Sequence, residues 1–167
     1  MDSIRSILAA MLVRAATAEE LGRIPSAAGA TLSGDSFIAV QGDRLLGTGT
    51  LDPRGGPVDW GTPRLWISLM LPEAGDGERV TVLTMLASAL IDRGRSLHLP
   101  RLLLAWDTMD VPGQAVLTGL GFRPGARWPY FPGASGPAAA PLAEEAIEYV
   151  MGYRDPTGSV VDLVWDG

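Results

Sequence analysis

The chain has 167 residues, a formal net charge of −6, no cysteine and one histidine, and all 13 of its basic residues are arginine. The length suits one domain with a hydrophobic core. Without cysteine there are no disulfides, thiolate nucleophiles or thiolate metal sites, and without lysine there is neither Schiff-base chemistry nor the lysine of an NTPase phosphate loop. The acidic balance argues against a nucleic-acid partner and permits a cationic substrate such as an amine.

No run of the sequence approaches the ~20 apolar residues that a membrane span needs. The first five residues include the early acid Asp2, and the apolar stretch after them is interrupted by Arg14, so no signal peptide is predicted. We therefore expect a cytoplasmic protein with no membrane partner.

The first predicted elements are a strand over residues 11–16 and a short helix over residues 18–24. Residues 1–10 are interpreted as an N-terminal extension. Thr17 is a favourable N-cap, Glu20 completes a capping box, and Pro25 ends the helix.

A hairpin is predicted next, with strands over residues 36–40 and 44–51 around Gly42. Gly47 and Gly49 alternate on one face of its second strand and would allow close approach to the backbone. Residues 52–63 form a Pro- and Gly-rich loop that carries Trp60.

The central block runs from residue 65 to residue 122. An apolar strand over 65–71 leads into a polar turn with Gly75 and Gly77, and then into an amphipathic helix over 79–92, closed by Gly94. A second apolar strand over 101–106 and a short helix complete the block. A glycine turn that feeds a helix N-terminus presents free backbone N–H groups and suits a phosphate or pyrophosphate.

The rest of the chain is predicted as a strand over 122–131, a flexible Gly-, Ala- and Pro-rich insert over 132–141, and a strand over 148–153. Residues 155–167 are a C-terminal tail, whose apolar segment 159–165 is an edge strand or an arm onto a partner. No repeat or second domain is evident, so residues 1–167 form one domain.

This order, together with specific residues, resembles the GCN5-related N-acetyltransferase family from about Leu12 to Arg154. Leu71-Pro72-Glu73 is similar to the end of the family's fourth strand, and Leu120-Gly121-Phe122 to the signature at the end of a later helix. The resemblance implies an α/β (α+β) fold in which helices flank a mixed, mostly antiparallel sheet. It also implies acetyl-CoA as co-substrate, held where the fourth and fifth strands splay apart.

Carried over residue by residue, the resemblance implies that the backbone at Leu69 and Leu71 meets the pantetheine arm. The residues that would surround the pyrophosphate are Gly75, Gly77, Glu78, Arg79 and Val80. Two features depart from the family pattern: Asp76 and Glu78 place acids in the turn, and Leu117 stands where many members have a proton-donating tyrosine.

Three polar residues are candidates for catalysis. Asp107 and Asp110 follow the fifth strand, where a carboxylate could deprotonate an amine, although capping of the next helix is the competing interpretation. Ser68 lies inside an apolar strand, and its hydroxyl could reach the cleft or be satisfied by a neighbour. The single histidine, His98, precedes the fifth strand, far from the predicted cleft, and cannot build a metal site alone.

Aromatic residues at strand and loop positions could line an acceptor pocket, although such residues are more often core. The candidates are Trp60, Trp66, Trp128 and Tyr130, and Trp106 is a further one.

The leading function is transfer of an acetyl group from CoA to a small-molecule amine, without a metal. One alternative is a non-standard member of the fold that catalyses another reaction, or binds a ligand or partner without acetyl transfer. Another is a structural protein that forms a homodimer through its last strand.

Overall fold

The computed structural model describes residues 10–23, 35–53, 63–71, 76–107, 110–129 and 159–167. Seven strands and three helices lie in these ranges: β1 Met11–Ala15, α1 Ala18–Arg23, β2 Asp35–Gln41, β3 Arg44–Asp52, β4 Arg64–Leu69, α2 Asp76–Ser96, β5 Arg101–Asp107, α3 Val111–Gly119, β6 Arg123–Pro129 and β7 Ser159–Asp166. The strands form one sheet in the order β1-β2-β3-β4-β5-β7-β6. Among the strands that the structure describes, only β4 and β5 pair in parallel. The predicted mixed, mostly antiparallel sheet with flanking helices is confirmed.

The hairpin of β2 and β3 turns at Gly42, whose φ of 60° falls in the left-handed region that suits glycine. The two glycines of β3 explain how close α2 lies to the sheet. A Cβ on Gly49 would stand 2.9 Å from Leu90 Cδ1 of α2, and one on Gly47 would stand 3.1 Å from Leu86 Cδ1. Leu86 and Leu90 are fully buried there, so the helix packs directly on the glycine backbone.

Helix α2 is longer than predicted at both ends. It begins at Asp76 and continues past Gly94 to Ser96. Gly94 is buried inside the helix. A Cβ at this position would lie only 2.9 Å from Leu102 Cδ1 of β5. The residue with left-handed φ after the helix is His98, at 55°. Gly94 therefore serves close packing between helix and strand, and not the helix end.

The Leu120-Gly121-Phe122 signature is the C-terminal cap of α3. The Phe122 N–H donates to Leu117 O at 3.1 Å, and the Gly121 N–H donates to Thr118 O at 3.0 Å. This is the Schellman arrangement, which requires a residue with positive φ, and Gly121 has a φ of 101°. Phe122 is then buried in the core with Leu117, so the motif ends the helix and anchors it.

Strand β7 lies inside the sheet and not at its edge. It pairs with β5 from Arg101 opposite Asp166 to Asp107 opposite Val160, and its other side pairs with β6. Among the described strands, β1 and β6 are the outer ones. A strand inside a sheet can be covered on both faces, and the side chains of Leu163, Val164 and Trp165 are all buried.

The predicted capping box at the start of α1 is present. The Thr17 N–H donates to Glu20 Oε2 at 2.9 Å, and the Glu20 N–H donates to Thr17 Oγ1 at 3.2 Å. Arg14 of β1 also donates to both Glu20 oxygens. The hydrogen bonds from Arg14 and then from Thr17 lower the pKa of Glu20 to about 2. This cluster fixes α1 against the first strand.

Several predicted features lie outside the described residues: residues 1–9, residues 54–62 of the loop with Trp60, Gly75 and Tyr130, the 132–141 insert, and the strand over 148–153. Within the part of the chain that the structure describes, no helix is both long and apolar enough to cross a membrane.

Candidate functional site

The central opening of the sheet lies between β4 and β5. These two strands pair only where Arg64 faces Leu103 and Leu65 faces Leu104. Beyond these positions the strands diverge, while β4 remains paired with β3 as far as Leu69. The predicted splay between the fourth and fifth strands is therefore present, and it leaves one side of the β4 backbone facing the gap.

A cleft of about 300 Å³ occupies this gap. Two strand segments and two helix N-terminal regions meet around it, and its walls are formed by Ile67, Ser68, Leu69, Arg79, Ala105, Trp106, Asp107 and Asp110. Three predicted catalytic residues and two predicted cofactor-binding residues are thus brought together from segments that are far apart in the sequence.

The β4 wall presents Ser68 and Leu69 to the cleft. Ser68 faces Thr48 across the ladder with β3. Leu71, two residues beyond the strand, is buried beside α2 in a cluster with Val82 and Leu86. The predicted pantetheine-binding backbone at Leu69 is therefore part of the cleft wall, while the Leu71 side chain supports that wall from the core.

The start of α2 carries the other predicted cofactor-binding residues. Gly77 is exposed, and a Cβ there would meet no atom within 4 Å. Glu78 forms an ion pair with Arg44 of β3 at 3.2 Å, so its charge is partly balanced. Val80 is half-buried. Arg79 lines the cleft, whereas Gly75 lies outside the described residues.

Asp110 is the N-cap of α3. Helix capping was the alternative to catalysis in the sequence analysis. Its Oδ1 accepts from the Gly113 N–H at 3.1 Å. Its Oδ2 accepts from Arg79 Nη2 and from Trp106 Nε1, each at 3.0 Å. Three donors therefore engage this carboxylate, whose side chain is only 18% exposed.

Gly113 makes this arrangement possible. It is buried at the third position of α3, and a Cβ there would stand only 2.6 Å from Trp106 Nε1. The indole and the Asp110 carboxylate can approach each other only because this side chain is absent. Sequence reasoning did not identify this role; the available signal was a glycine three residues after a helix-capping aspartate.

Asp107 is the last residue of β5, and its side chain is exposed at the cleft. Its backbone carbonyl accepts from the Asp110 N–H at 3.2 Å and from Gln114 Nε2 at 3.0 Å. These bonds fix the turn that joins β5 to α3. The carboxylate of Asp107 is thereby presented by a fixed backbone at the open end of the cleft.

The aromatic candidates fall into different environments. Trp66 shares a sheet face with Ser68 because the two residues are two apart on β4, and Arg64 lies over its ring at 5.9 Å. Trp106 is 8% exposed and belongs to the core, with its indole N–H directed at Asp110. Trp60, Tyr130 and the side chain of Trp128 lie outside the description.

His98 lies in the turn before β5, at the end of that strand opposite to the cleft, as expected. Among the described residues, no group of three or more His, Asp or Glu side chains is placed to hold a metal ion.

Solved acetyltransferases share this architecture. An N-acetyltransferase from Staphylococcus aureus Mu50 matches with a TM-score of 0.63 at 13% identity, over 94% of this chain and 98% of its own. A GNAT family acetyltransferase from Elizabethkingia anophelis with acetyl-CoA bound matches with a TM-score of 0.55 at 14% identity, over 94% of this chain and 98% of its own. The Bacillus subtilis acetyltransferase in complex with CoA gives 0.54 at 14% identity, over 95% and 99%. No protein-family model and no curated protein sequence matches the chain.

Proposed function

We propose that this chain, which has the fold of the GCN5-related N-acetyltransferases, transfers an acetyl group from acetyl-CoA to a small-molecule amine. The observation that carries the proposal is the opening between β4 and β5, where the strands pair only at their first positions. Proteins of the same fold hold acetyl-CoA or CoA. In this chain the cleft is lined by β4 backbone, by Arg79 and by two carboxylates, which is a suitable environment for a thioester arm and an amine.

In the reaction, the amine nitrogen attacks the thioester carbonyl, a C–N bond forms, the C–S bond breaks, and CoA leaves as a thiolate. The amine must be neutral to attack, so a base has to take its proton. We assign this role to Asp107, directly or through water, because its side chain is exposed at the cleft, where β5 ends. The Ser68 hydroxyl, on the opposite wall, is the candidate to donate a proton to the thiolate.

Calorimetric titration of the purified protein with acetyl-CoA and with CoA tests the first half of the proposal. We expect binding in the micromolar range. Absence of heat at millimolar ligand, from folded protein, would contradict the acetyltransferase function.

Turnover tests the second half. A panel of small-molecule amines is screened for CoA release with a thiol reagent, and Asp107→Asn is compared with Asp43→Asn, a matched change in the exposed hairpin turn. Removing a general base typically lowers kcat by about 10²-fold or more, whereas the hairpin variant should retain the wild-type rate. Equal rates in all three proteins would remove Asp107 from the mechanism.

A second candidate is ligand binding or another reaction in the same cleft. Leu117 favours it, because this residue occupies the position of the family's proton-donating tyrosine and is fully buried in the core. CoA binding without turnover on any amine is the result that this candidate predicts.

A further inference from the structure

Arg79 and Asp110 form an ion pair between two helices at the cleft. Arg79 belongs to the first turns of α2, and Asp110 caps α3, with 3.0 Å between Nη2 and Oδ2. Both residues line the opening between β4 and β5. The guanidinium that faces the cleft is therefore already paired with a carboxylate of the same chain.

The two partners are held to different degrees. Asp110 is 18% exposed and is fixed by the Gly113 N–H and by the Trp106 indole. Arg79 is 37% exposed and reaches Asp110 through a long side chain that can rotate. Because partly exposed ion pairs add little net stability, Arg79 is the partner that can leave at small cost.

A phosphate group suits a released guanidinium better than a single carboxylate oxygen does. Arginine binds phosphate through two parallel N–H donors, and such charge-assisted bonds are stronger than neutral ones. Arg79 donates a single hydrogen bond to Asp110, through Nη2. A ligand that brings a phosphate to the start of α2 would therefore compete directly with Asp110 for this side chain.

We propose that Asp110 is an internal counter-ion for Arg79, which a phosphate of the bound ligand displaces from the guanidinium. Asp110 is then a positioning residue: it holds Arg79 at the cleft in the free protein and sets how strongly the ligand must compete. The inference rests on the proposed function, because it names the cation that the phosphates of CoA meet.

The test is a cycle of CoA affinities measured by calorimetry in wild type, Asp110→Asn, Arg79→Gln and the double variant. Asparagine keeps an N-cap oxygen for Gly113 but removes the charge that competes for Arg79. We expect Asp110→Asn to bind CoA about fivefold more tightly, the factor set by loss of a partly exposed ion pair. Arg79→Gln should bind more weakly than wild type. In the Arg79→Gln background, Asp110→Asn should leave the affinity within about twofold of that single variant.

Glu78→Gln is the matched control. It removes a neighbouring negative charge that pairs with Arg44 and not with Arg79. Any gain in CoA affinity that Glu78→Gln causes should persist in the Arg79→Gln background, because the Glu78 charge acts on the phosphates by electrostatic repulsion and not through Arg79. If Asp110→Asn weakens binding, or if its gain also persists without Arg79, the carboxylate acts only as a cap or as a general charge, and the proposal is overturned.

Inorganic pyrophosphate separates this inference from the proposed function. If CoA binds to none of the variants but pyrophosphate follows the expected order of affinities, the exchange at Arg79 is supported and the acetyltransferase function falls. If neither ligand binds to any variant, both fall.

A second readout uses wild-type protein and does not depend on the folding of Asp110→Asn. The readout is the NMR signal of the Trp106 indole N–H, which is assigned by its absence in Trp106→Phe. This signal reports on Asp110 Oδ2, which accepts from both Trp106 and Arg79. Pyrophosphate should shift this signal in wild type and leave it unchanged in Arg79→Gln. A shift of equal size in both proteins contradicts the exchange.

Discussion

The two sides of β5 are paired very differently. One side follows β7 along the whole strand, from Arg101 to Asp107, while the other side meets β4 only at Leu103 and Leu104. The same strand therefore forms a complete ladder on one side and a cleft wall on the other. The cleft therefore does not come from a loose strand: pairing with β7 holds β5 in place, so the opening exists before any ligand enters.

The largest effect is expected from removing the complete ladder between β5 and β7. A chain that ends at residue 158 lacks β7 and its buried Leu163, Val164 and Trp165. Each such side chain contributes about 1.5–3 kcal/mol through burial, and domains are stable by only about 5–15 kcal/mol. We expect no cooperative thermal transition by circular dichroism.

The matched control for this truncation ends at Asp166. It loses only Gly167, whose N–H donates to Pro100 O at 3.1 Å, and should unfold close to wild type. A cooperative transition near the wild-type temperature in the shorter chain would show that β7 is not needed to hold β5.

The second test acts on the cleft side, where Gly113→Ala would push a methyl group against Trp106 Nε1, to which a Cβ would come within 2.6 Å. We expect a loss of about 1–3 kcal/mol in the free energy of unfolding, because the buried site cannot take the extra atom without a shift. Gly119→Ala, on the same helix, has no atom within 4 Å of the added Cβ and should gain up to about 1 kcal/mol. Urea titration of both variants measures the difference, and a Gly113→Ala protein as stable as Gly119→Ala would contradict the described packing.

The smallest expected effect concerns the start of β5, where Asp166 of β7 accepts from Arg101 and Arg123. Hydrogen bonds from Arg101 and then Arg123 lower the pKa of Asp166 from its ordinary value of 3.8. A lowered folded-state pKa means that the stabilisation is present above the unfolded value and is lost as the pH falls through the folded one.

Asp166→Asn should therefore melt at a slightly lower temperature than wild type near neutral pH, and the two melting temperatures should converge as the pH falls through the lowered pKa of Asp166. The difference should be small because the three side chains are largely exposed. A difference that grows as the pH falls would contradict the sign of this shift.

Local features of the fold were predictable from the sequence. The capping box of Thr17 and Glu20 and the hairpin around Gly42 depend on residues within a few positions of one another. The cap at Gly121 follows from the same kind of short-range pattern. In each case the backbone groups of neighbouring residues decide the structure, so a short stretch of sequence carries the whole signal.

The missed features depend on contacts between distant segments. Gly94 has the pattern of a helix end, but Leu102 of β5 makes it a packing position. The segment of β7 has the pattern of an edge strand, but pairing with β5 places it inside the sheet.

At the candidate site, Asp110 was predicted as either a cap or a catalytic residue. Its bonds to Trp106 and Arg79 could not be predicted, because they require α2, β5 and α3 to be already in place.

The alternation of side chains along β5 has one further consequence. Leu104 and Trp106 are buried, whereas Ala105 between them is partly exposed at the cleft, which Trp106 also lines. Replacing this alanine changes the width of the passage but leaves the packing behind the strand untouched. A substitution at position 105 therefore alters the cleft wall without replacing a residue of the core.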